Sequence, residues 1–278
     1  MPHQTTARPT PASSRSELST IRVLGQRLKI AVRPGDGTRT PLLLMNGIGA
    51  NLELLQPFVD ALDPAIEVIR FDVPGVGGSP TPPFPLRFTA LAWLAGRMLD
   101  ALGYKYVDVL GLSWGGGLAQ QFAVQYPGRC RRLVLVSTGS GAFMVPGRPD
   151  VLAKLATPRR YHDPAYMADI APEIYGGDVD PALAHEFADK MRPGDSRGYL
   201  YQMLGAAGWT SLAWLRCLRQ RTLILAGDDD RLVPVVNARI LHRLIPRSRL
   251  HIFHGGHLGL VLQATQLAPV IDAFLAAR

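Results

Sequence analysis

The sequence predicts an α/β domain in which helices cover both faces of a mostly parallel, doubly wound sheet. Eight short apolar segments alternate along the chain with segments of helical periodicity, which is the order that builds such sheets. Several apolar segments are uninterrupted, as in strands that are buried on both faces. The chain has 278 residues, 47% of them hydrophobic, which is enough for one large domain with an insertion.

The elements follow from these patterns in chain order. Residues 20–24 and 27–32 are predicted to pair as a hairpin around Gly25. Helices are predicted from the apolar spacing at 91–102, 235–245 and 267–275, and directly after Ser113. The remaining predicted strands are 41–45, 66–71, 106–112, 132–136, 222–226 and 249–253.

Residues 141–217 interrupt the alternation of strands and helices. This stretch is rich in Met, Tyr and Trp and has no clear strand pattern. Because so short a segment of helices would not supply a core of its own, we expect an inserted helical lid. The α/β core is then formed by residues 20–140 and 218–278. The helices predicted within the lid are 150–155, 164–174, 181–191 and 198–215.

Composition excludes several classes of protein. Two cysteines, Cys130 and Cys217, are too few for a disulfide framework or a zinc site built from cysteines. The net charge of +8 comes from dispersed arginines, without the basic stripe of a nucleic-acid binder.

Residues 1–19 are rich in Ser, Thr and Pro and have no apolar signal-peptide core, so we expect a disordered tail. No transmembrane segment is expected, and a cytoplasmic location is predicted.

A nucleophilic serine is the strongest chemical signal. Gly111-Leu112-Ser113-Trp114-Gly115 fits the pattern G-x-S-x-G between a predicted strand and a predicted helix. This pattern places serine on a sharp turn with its hydroxyl exposed. The helix N-terminus behind the serine favours negative charge that develops during a reaction. The alternative is a structural glycine turn with an idle serine.

A base and an orienting carboxylate also follow predicted strands. His254 and His257 lie in the loop after the last strand, and His257 is the preferred base because two glycines separate it from that strand. Asp228, Asp229 and Asp230 follow the preceding strand. Their mutual repulsion favours exposure of one or two of them, and Asp230 is the preferred orienter. The chain order Ser, Asp, His is that of one large class of serine hydrolases.

An oxyanion hole requires two backbone donors. One candidate is the N–H of Trp114, the residue after the nucleophile. The other is the N–H of Ile48, in the glycine-rich loop after the strand at 41–45. The alternative for this loop is an ordinary turn before a helix capped by Asn51.

Several stretches beyond these motifs carry a family resemblance. From about residue 20 the chain resembles enzymes of the α/β-hydrolase fold and, more narrowly, intracellular medium-chain-length polyhydroxyalkanoate depolymerases. In that family the serine of the S-W-G-G stretch is the nucleophile, which corresponds to Ser113, and the acid and base correspond to Asp230 and His257. Asn46 stands where many other α/β hydrolases have His. The similar stretches are NGIGANLELLQPFVDALDP, EVIRFDVPGVGGS, SWGGGLAQQFA, PRRY, IYGG, GWTS, LAGDDD and GHL.

The resemblance implies hydrolysis of poly(3-hydroxyalkanoate) to 3-hydroxy acids or oligomers through an acyl-enzyme, without a metal or organic cofactor. It implies a polyester or acyl-ester substrate and contact with the surface of a storage granule through exposed apolar residues of the lid. Aromatic and Met side chains of the lid, with Asn46, are candidates for substrate contact, although such clusters also form ordinary cores. These candidates are Asn46, Tyr201, Met203, Trp209 and Trp214.

Three other functions stay open from the sequence. A carboxylesterase would act on soluble acyl esters with the same residues. A carbon–carbon bond hydrolase would act on dienoic products of ring cleavage. A granule-binding or ligand-binding protein would keep the scaffold without catalysis, but such a protein does not need the serine, acid and base that this sequence has.

Overall fold

The protein was analysed as a computed structural model, which describes residues 16–156, 164–177 and 196–277. Its centre is an eight-stranded sheet. The strands are β1 (Glu17–Val23), β2 (Gln26–Arg33), β3 (Leu42–Met45), β4 (Val68–Phe71), β5 (Val107–Leu112), β6 (Cys130–Val136), β7 (Arg221–Gly227) and β8 (Ser248–Phe253).

The strand order is β1-β2-β4-β3-β5-β6-β7-β8. The strands β3 to β8 run parallel to one another, while β1 and β2 form an antiparallel hairpin whose second strand pairs with β4. The predicted mostly parallel, doubly wound sheet is confirmed. Parallel strands end at one edge of a sheet, so the loops after β3, β5, β7 and β8 share one side of the molecule.

Helices cover both faces of the sheet. One face carries α1, α8 and α9, and the other carries α2, α3 and α7. Short 3₁₀ helices lie at Leu52–Leu55 and Leu215–Cys217. The helices are α1 (Gln56–Ala61), α2 (Phe88–Ala101), α3 (Trp114–Gln125), α4 (Pro149–Ala156), α5 (Pro164–Tyr175), α6 (Ser196–Ala206), α7 (Val236–Leu244), α8 (Gly259–Leu262) and α9 (Ala264–Ala276).

The strand β3 illustrates why uninterrupted apolar segments form the central strands. Side chains alternate across a strand, so Leu42 and Leu44 pack in the core under α1 and α9, whereas Leu43 and Met45 pack in the core under α2 and α3. None of the four is more than 2% exposed. A polar residue at any of these positions would be buried against one helical layer.

The structure differs from the sequence-based predictions at two places. Strand β1 begins at Glu17, and residues 17–19 pair with Ile30, Ala31 and Val32, so this end of the predicted tail is a strand. The predicted helix at 198–215 is wrong in its extent. Helix α6 ends at Ala206, because the chain turns at Gly208 with a φ of +72°, a conformation that favours glycine.

The segment between β6 and β7 holds the helices α4, α5 and α6, and we call residues 137–220 the inserted segment. Within this segment, Gly141 and Thr210 pair in an isolated antiparallel β-bridge. The predicted helix at 181–191 lies outside the described residues, as do residues 1–15 of the predicted tail. No helix in the described part of the chain is long and apolar enough to cross a lipid bilayer.

A buried carboxylate, that of Asp72, ties two loops together beside the carboxyl edge of the sheet. It is fully buried and accepts hydrogen bonds from the N–H of Leu52 at 2.6 Å and of Gly78 at 2.8 Å. Burial raises the pKa of Asp72 from 3.8 to about 6, and the two hydrogen bonds oppose this rise. Because Leu52 begins the 3₁₀ helix that follows the loop after β3, this carboxylate holds one end of that loop.

Replacement of the titrating group, Asp72→Asn, is expected to change how stability depends on pH. Between pH 3.8 and about 6 the native carboxyl keeps a proton that the unfolded chain releases. This group therefore stabilises the native state as the pH falls and destabilises it as the pH rises. In urea unfolding, lowering the pH from 7 to 5 should stabilise the parent by about 1 kcal/mol more than the variant. Equal responses in the two proteins would contradict the raised pKa.

Candidate active site

Ser113 occupies the sharp turn between β5 and α3. Its backbone has φ 55° and ψ −119°, a strained conformation for a residue with a side chain. The flanking glycines are needed for space: a Cβ at Gly111 would lie 2.3 Å from the carbonyl oxygen of Gly115, and one at Gly115 would lie 2.1 Å from that of Met45. The sequence thus folds locally into the turn that the G-x-S-x-G pattern predicts.

The structure brings Ser113, His257 and Asp230 into one hydrogen-bonded chain. His257 Nε2 lies 2.9 Å from Ser113 Oγ, and His257 Nδ1 lies 2.8 Å from Asp230 Oδ2. Both His257 and Asp230 are at most 5% exposed. With Nδ1 protonated and bonded to the carboxylate, Nε2 is free to accept the serine proton. This geometry fits a nucleophile, a base and an orienting acid.

Neighbouring backbone groups hold both partners of the serine in place. The N–H of His257 donates to the carbonyl oxygen of Tyr175 at 2.7 Å, and the two rings stack with centroids 6.1 Å apart. Asp230 Oδ1 accepts the N–H groups of Leu232 at 3.0 Å and Val233 at 2.7 Å. One carboxylate oxygen therefore fixes the turn while the other faces the imidazole.

The adjacent carboxylates of Asp228 and Asp229 bond to other groups and not to His257. The N–H of Gly255 and the ring of His254 lower the pKa of the exposed Asp228. The pKa of Asp229 is lowered mainly by the hydrogen bond that its carboxylate accepts from the N–H of Gly177. The His254 side chain is 93% exposed. These positions agree with the preference for Asp230 and His257 over their neighbours.

Two backbone donors lie beside the serine. The N–H groups of Ile48 and Trp114 donate to no acceptor within the part of the chain that the structure describes. Trp114 follows the serine directly, and the loop of Ile48 passes close to it, since a Cβ at Gly47 would lie 3.7 Å from Ser113 Cβ. The arrangement can accommodate an oxyanion between the two N–H groups.

Two cavities open from Ser113. The larger has a volume of about 360 Å³, and His257 and Ile48 form part of its wall. The smaller has a volume of about 220 Å³, and Phe88, Trp114 and Trp209 form part of its wall. Among the described residues no Lys, Arg, Asp or Glu side chain lines either cavity. The residues that line both are Ser113, Ala142, Met144 and Val233.

The predicted substrate contacts fall into two groups. Trp209 lines the smaller cavity. The other four line neither cavity: Asn46 donates its amide to the carbonyl oxygen of Asn51, Tyr201 bonds to the carbonyl oxygen of Pro83, Met203 is 46% exposed, and Trp214 packs against Trp209. Their contact with a substrate stays a prediction.

Sequence reasoning missed the residues that shape both cavities. Met144 and Val233 line the two cavities together, and Tyr199 lines the larger one. No local pattern marks these residues, because they meet only through the packing of the inserted segment on the core. Within the described residues no three His, Cys, Asp or Glu side chains lie close enough together to hold a metal ion.

The chain is similar to known hydrolases over most of its length. The poly(3-hydroxyalkanoate) depolymerase of Ectopseudomonas oleovorans is 55% identical over 258 residues, which cover 92% of this chain and 91% of that protein. The 2-hydroxymuconate semialdehyde hydrolase of Pseudomonas putida is 31% identical over 222 residues, 75% of this chain and 76% of that protein. The predicted resemblance to polyhydroxyalkanoate depolymerases is confirmed.

Solved structures show the same fold. The enol-lactonase from Burkholderia xenovorans LB400 superposes with a TM-score of 0.80 at 22% identity, over 93% of this chain and 100% of that one. A family model described as the alpha/beta hydrolase fold matches residues 40–264. With the strand order and the serine turn described above, these findings show that the chain belongs to the α/β-hydrolase fold family.

Proposed function

We propose that this chain is a serine ester hydrolase that cleaves poly(3-hydroxyalkanoate) to 3-hydroxy acids or their oligomers. The observation that carries the proposal is the hydrogen-bonded chain of Ser113, His257 and Asp230 at the meeting point of two cavities whose described lining contains no Lys, Arg, Asp or Glu. The choice of polyester is supported by the 55% identity to a protein named poly(3-hydroxyalkanoate) depolymerase.

The proposed reaction has two stages. Ser113 Oγ attacks the ester carbonyl carbon while His257 Nε2 takes the hydroxyl proton. The oxyanion that forms is bound by the N–H groups of Ile48 and Trp114. The imidazolium gives its proton to the leaving hydroxyl oxygen, which yields the acyl-enzyme. Water, activated by the same imidazole, then releases the acid, while Asp230 orients the ring and stabilises its charged form.

The two cavities are proposed to hold the two sides of the scissile bond. The leaving oxygen must accept a proton from His257, and His257 lines only the larger cavity. The alcohol side of the ester therefore belongs in the larger cavity. The acyl side belongs in the smaller one, between Phe88, Trp114 and Trp209. Both walls are apolar, which suits the alkyl side chains of a polyhydroxyalkanoate.

A carbon–carbon bond hydrolase is the second enzyme class among the relatives. Proteins named 2-hydroxymuconate semialdehyde hydrolase act on a carboxylate-bearing compound, and the relative of this name is 31% identical. A buried carboxylate requires a cationic or strongly hydrogen-bonding partner. The described lining of both cavities contains no Lys or Arg. The lining formed by the described residues therefore suits a neutral ester.

The inserted segment is proposed to act as a lid that meets the insoluble polymer. Tyr199 and Ala206 of α6 line the larger and the smaller cavity respectively, so this helix lies over the site. Leu200, Met203 and Leu204 on the same helix are each 46–47% exposed. An exposed apolar surface of this kind suits contact with a polyester granule in the cytoplasm.

Release of 3-hydroxy acids from a polymer suspension tests the proposed activity. The purified chain is expected to release these acids from medium-chain poly(3-hydroxyalkanoate), and Ser113→Ala should reduce the rate by at least about 10³-fold. Mass spectrometry of the supernatant identifies the products. Turnover of soluble nitrophenyl esters without any release from the polymer would contradict the polyester assignment and leave a carboxylesterase.

The placement of acyl and alcohol sides is tested by filling one cavity at a time. Ala206→Phe fills the smaller cavity and should lower kcat/KM for long acyl chains about tenfold or more in a series of nitrophenyl esters. Leu152 lines the larger cavity, and Leu152→Trp narrows that cavity, which should instead lower kcat/KM for the longer alcohols in a series of butyrate esters. Each variant is the control for the other. Reversed preferences, or the same change in both series, would contradict the placement.

A further inference from the structure

A buried glutamine of the inserted segment contacts both chain segments that carry the proposed oxyanion donors. Gln202 lies on α6 and is 4% exposed. Its side-chain Oε1 accepts the N–H of Gly49 at 2.7 Å, directly after Ile48. Its main-chain oxygen accepts the indole N–H of Trp114 at 3.2 Å. Gln202 is thus hydrogen-bonded to the residue that follows Ile48 and to the side chain of Trp114. The backbone N–H groups of Ile48 and Trp114 are the two proposed oxyanion donors.

The bond to Gly49 restrains the middle of a loop whose far end is held by the bonds from Asn46 to Asn51 and from Leu52 to Asp72. Gly49 has a φ of +72° and lies tightly beneath α6, since a Cβ there would be 3.1 Å from the ring of Tyr199. The other backbone bond recorded in this turn, from Ala50 to Gly47, is 3.3 Å long. Without Gln202 the N–H of Gly49 would be a buried donor that lacks its partner, and the loop would have to shift to satisfy it.

Packing alone does not account for a glutamine at this position. Its Nε2 atom is buried and has no hydrogen-bond partner among the described residues. An unpaired buried amide nitrogen costs folding free energy, which an apolar side chain of similar size would avoid. What the glutamine supplies, and a methionine would not, is the acceptor for Gly49.

We propose that Gln202 is a positioning residue that holds the oxyanion hole in its productive geometry and couples that geometry to the seating of α6. The inference rests on the proposed function. An oxyanion hole works only when its donors are fixed before the charge develops. Because both bonds come from α6, movement of this helix away from the core releases the Ile48 loop and the Trp114 side chain together. The site is then complete only when α6 is seated on the core.

A matched pair of variants separates positioning from general stability. Gln220 is also a glutamine that is 4% exposed, and its amide donates to the carbonyl oxygen of Ala123 at 3.0 Å, within the core. Gln202→Met and Gln220→Met therefore each remove one buried bond between a glutamine side chain and the backbone. Of these two bonds, only that of Gln202 involves the loop that carries Ile48.

Steady-state kinetics on a soluble nitrophenyl ester, together with thermal unfolding, give the decisive comparison. Gln202→Met is expected to lower kcat about 10- to 100-fold with KM within about twofold, since the loss falls on the transition state. Gln220→Met should keep the parent kcat while lowering the melting temperature. An unchanged kcat in Gln202→Met, a change in KM alone, or equal losses of kcat in both variants would overturn the proposal.

If Gln202→Met does not fold, a second variant tests the same proposal. Trp114→Phe removes the indole donor to Gln202 and leaves the backbone N–H of residue 114 in place. Because the Trp114 ring also lines the smaller cavity, this variant is assayed on nitrophenyl acetate, whose acyl group is too short to depend on that wall, and there it should lower kcat with little change in KM. A parent-like kcat in that variant would overturn the proposal. Failure of the proposed function looks different, because the parent itself would then show no turnover that depends on Ser113.

Discussion

The hydrogen bond between Ser113 Oγ and His257 Nε2, 2.9 Å long, is the interaction on which the rest of the molecule depends. The two residues are 144 positions apart in the chain, and each follows a different strand of one parallel sheet. Their meeting requires the strand order, the strained turn at Ser113 and the buried carboxylate of Asp230 at the same time. A shift in any of these would break the hydrogen bonds of His257 and leave buried polar groups without their partners.

The core and the inserted segment contribute differently to this arrangement. The core supplies the serine turn and the proposed acid and base through loops at the carboxyl edge of the sheet. The inserted segment contributes contacts around them: Tyr175 accepts the backbone N–H of His257, Trp209 lines the smaller cavity, and Gln202 is bonded beside both proposed oxyanion donors. The inserted segment therefore bears both on the alignment of the proposed catalytic groups and on the shape of the two cavities.

The sequence was informative where local chemistry determines structure. Short apolar segments predicted the six parallel strands, and the hairpin pattern around Gly25 predicted β1 and β2. The glycines around Ser113 predicted its turn, because a Cβ there would collide with the backbone. The sequence was uninformative where distant segments meet. Met144 and Val233 line both cavities without any local pattern, and no local pattern distinguishes Gln202 from other polar residues of a helix. The end of α6 was mispredicted because apolar spacing continued past Gly208, whose positive φ ends the helix.

The most direct test of this account is the rate at which a fluorophosphonate labels the serine in the parent, His257→Ala and His254→Ala. His254 is three residues from His257 but highly exposed and bonded to Asp228, which makes it a matched control. The account predicts labelling of the parent at Ser113, a rate at least about 10³-fold lower in His257→Ala and a parent-like rate in His254→Ala. Equal labelling of the parent and His257→Ala, or labelling at another residue, would contradict the proposed role of this hydrogen bond.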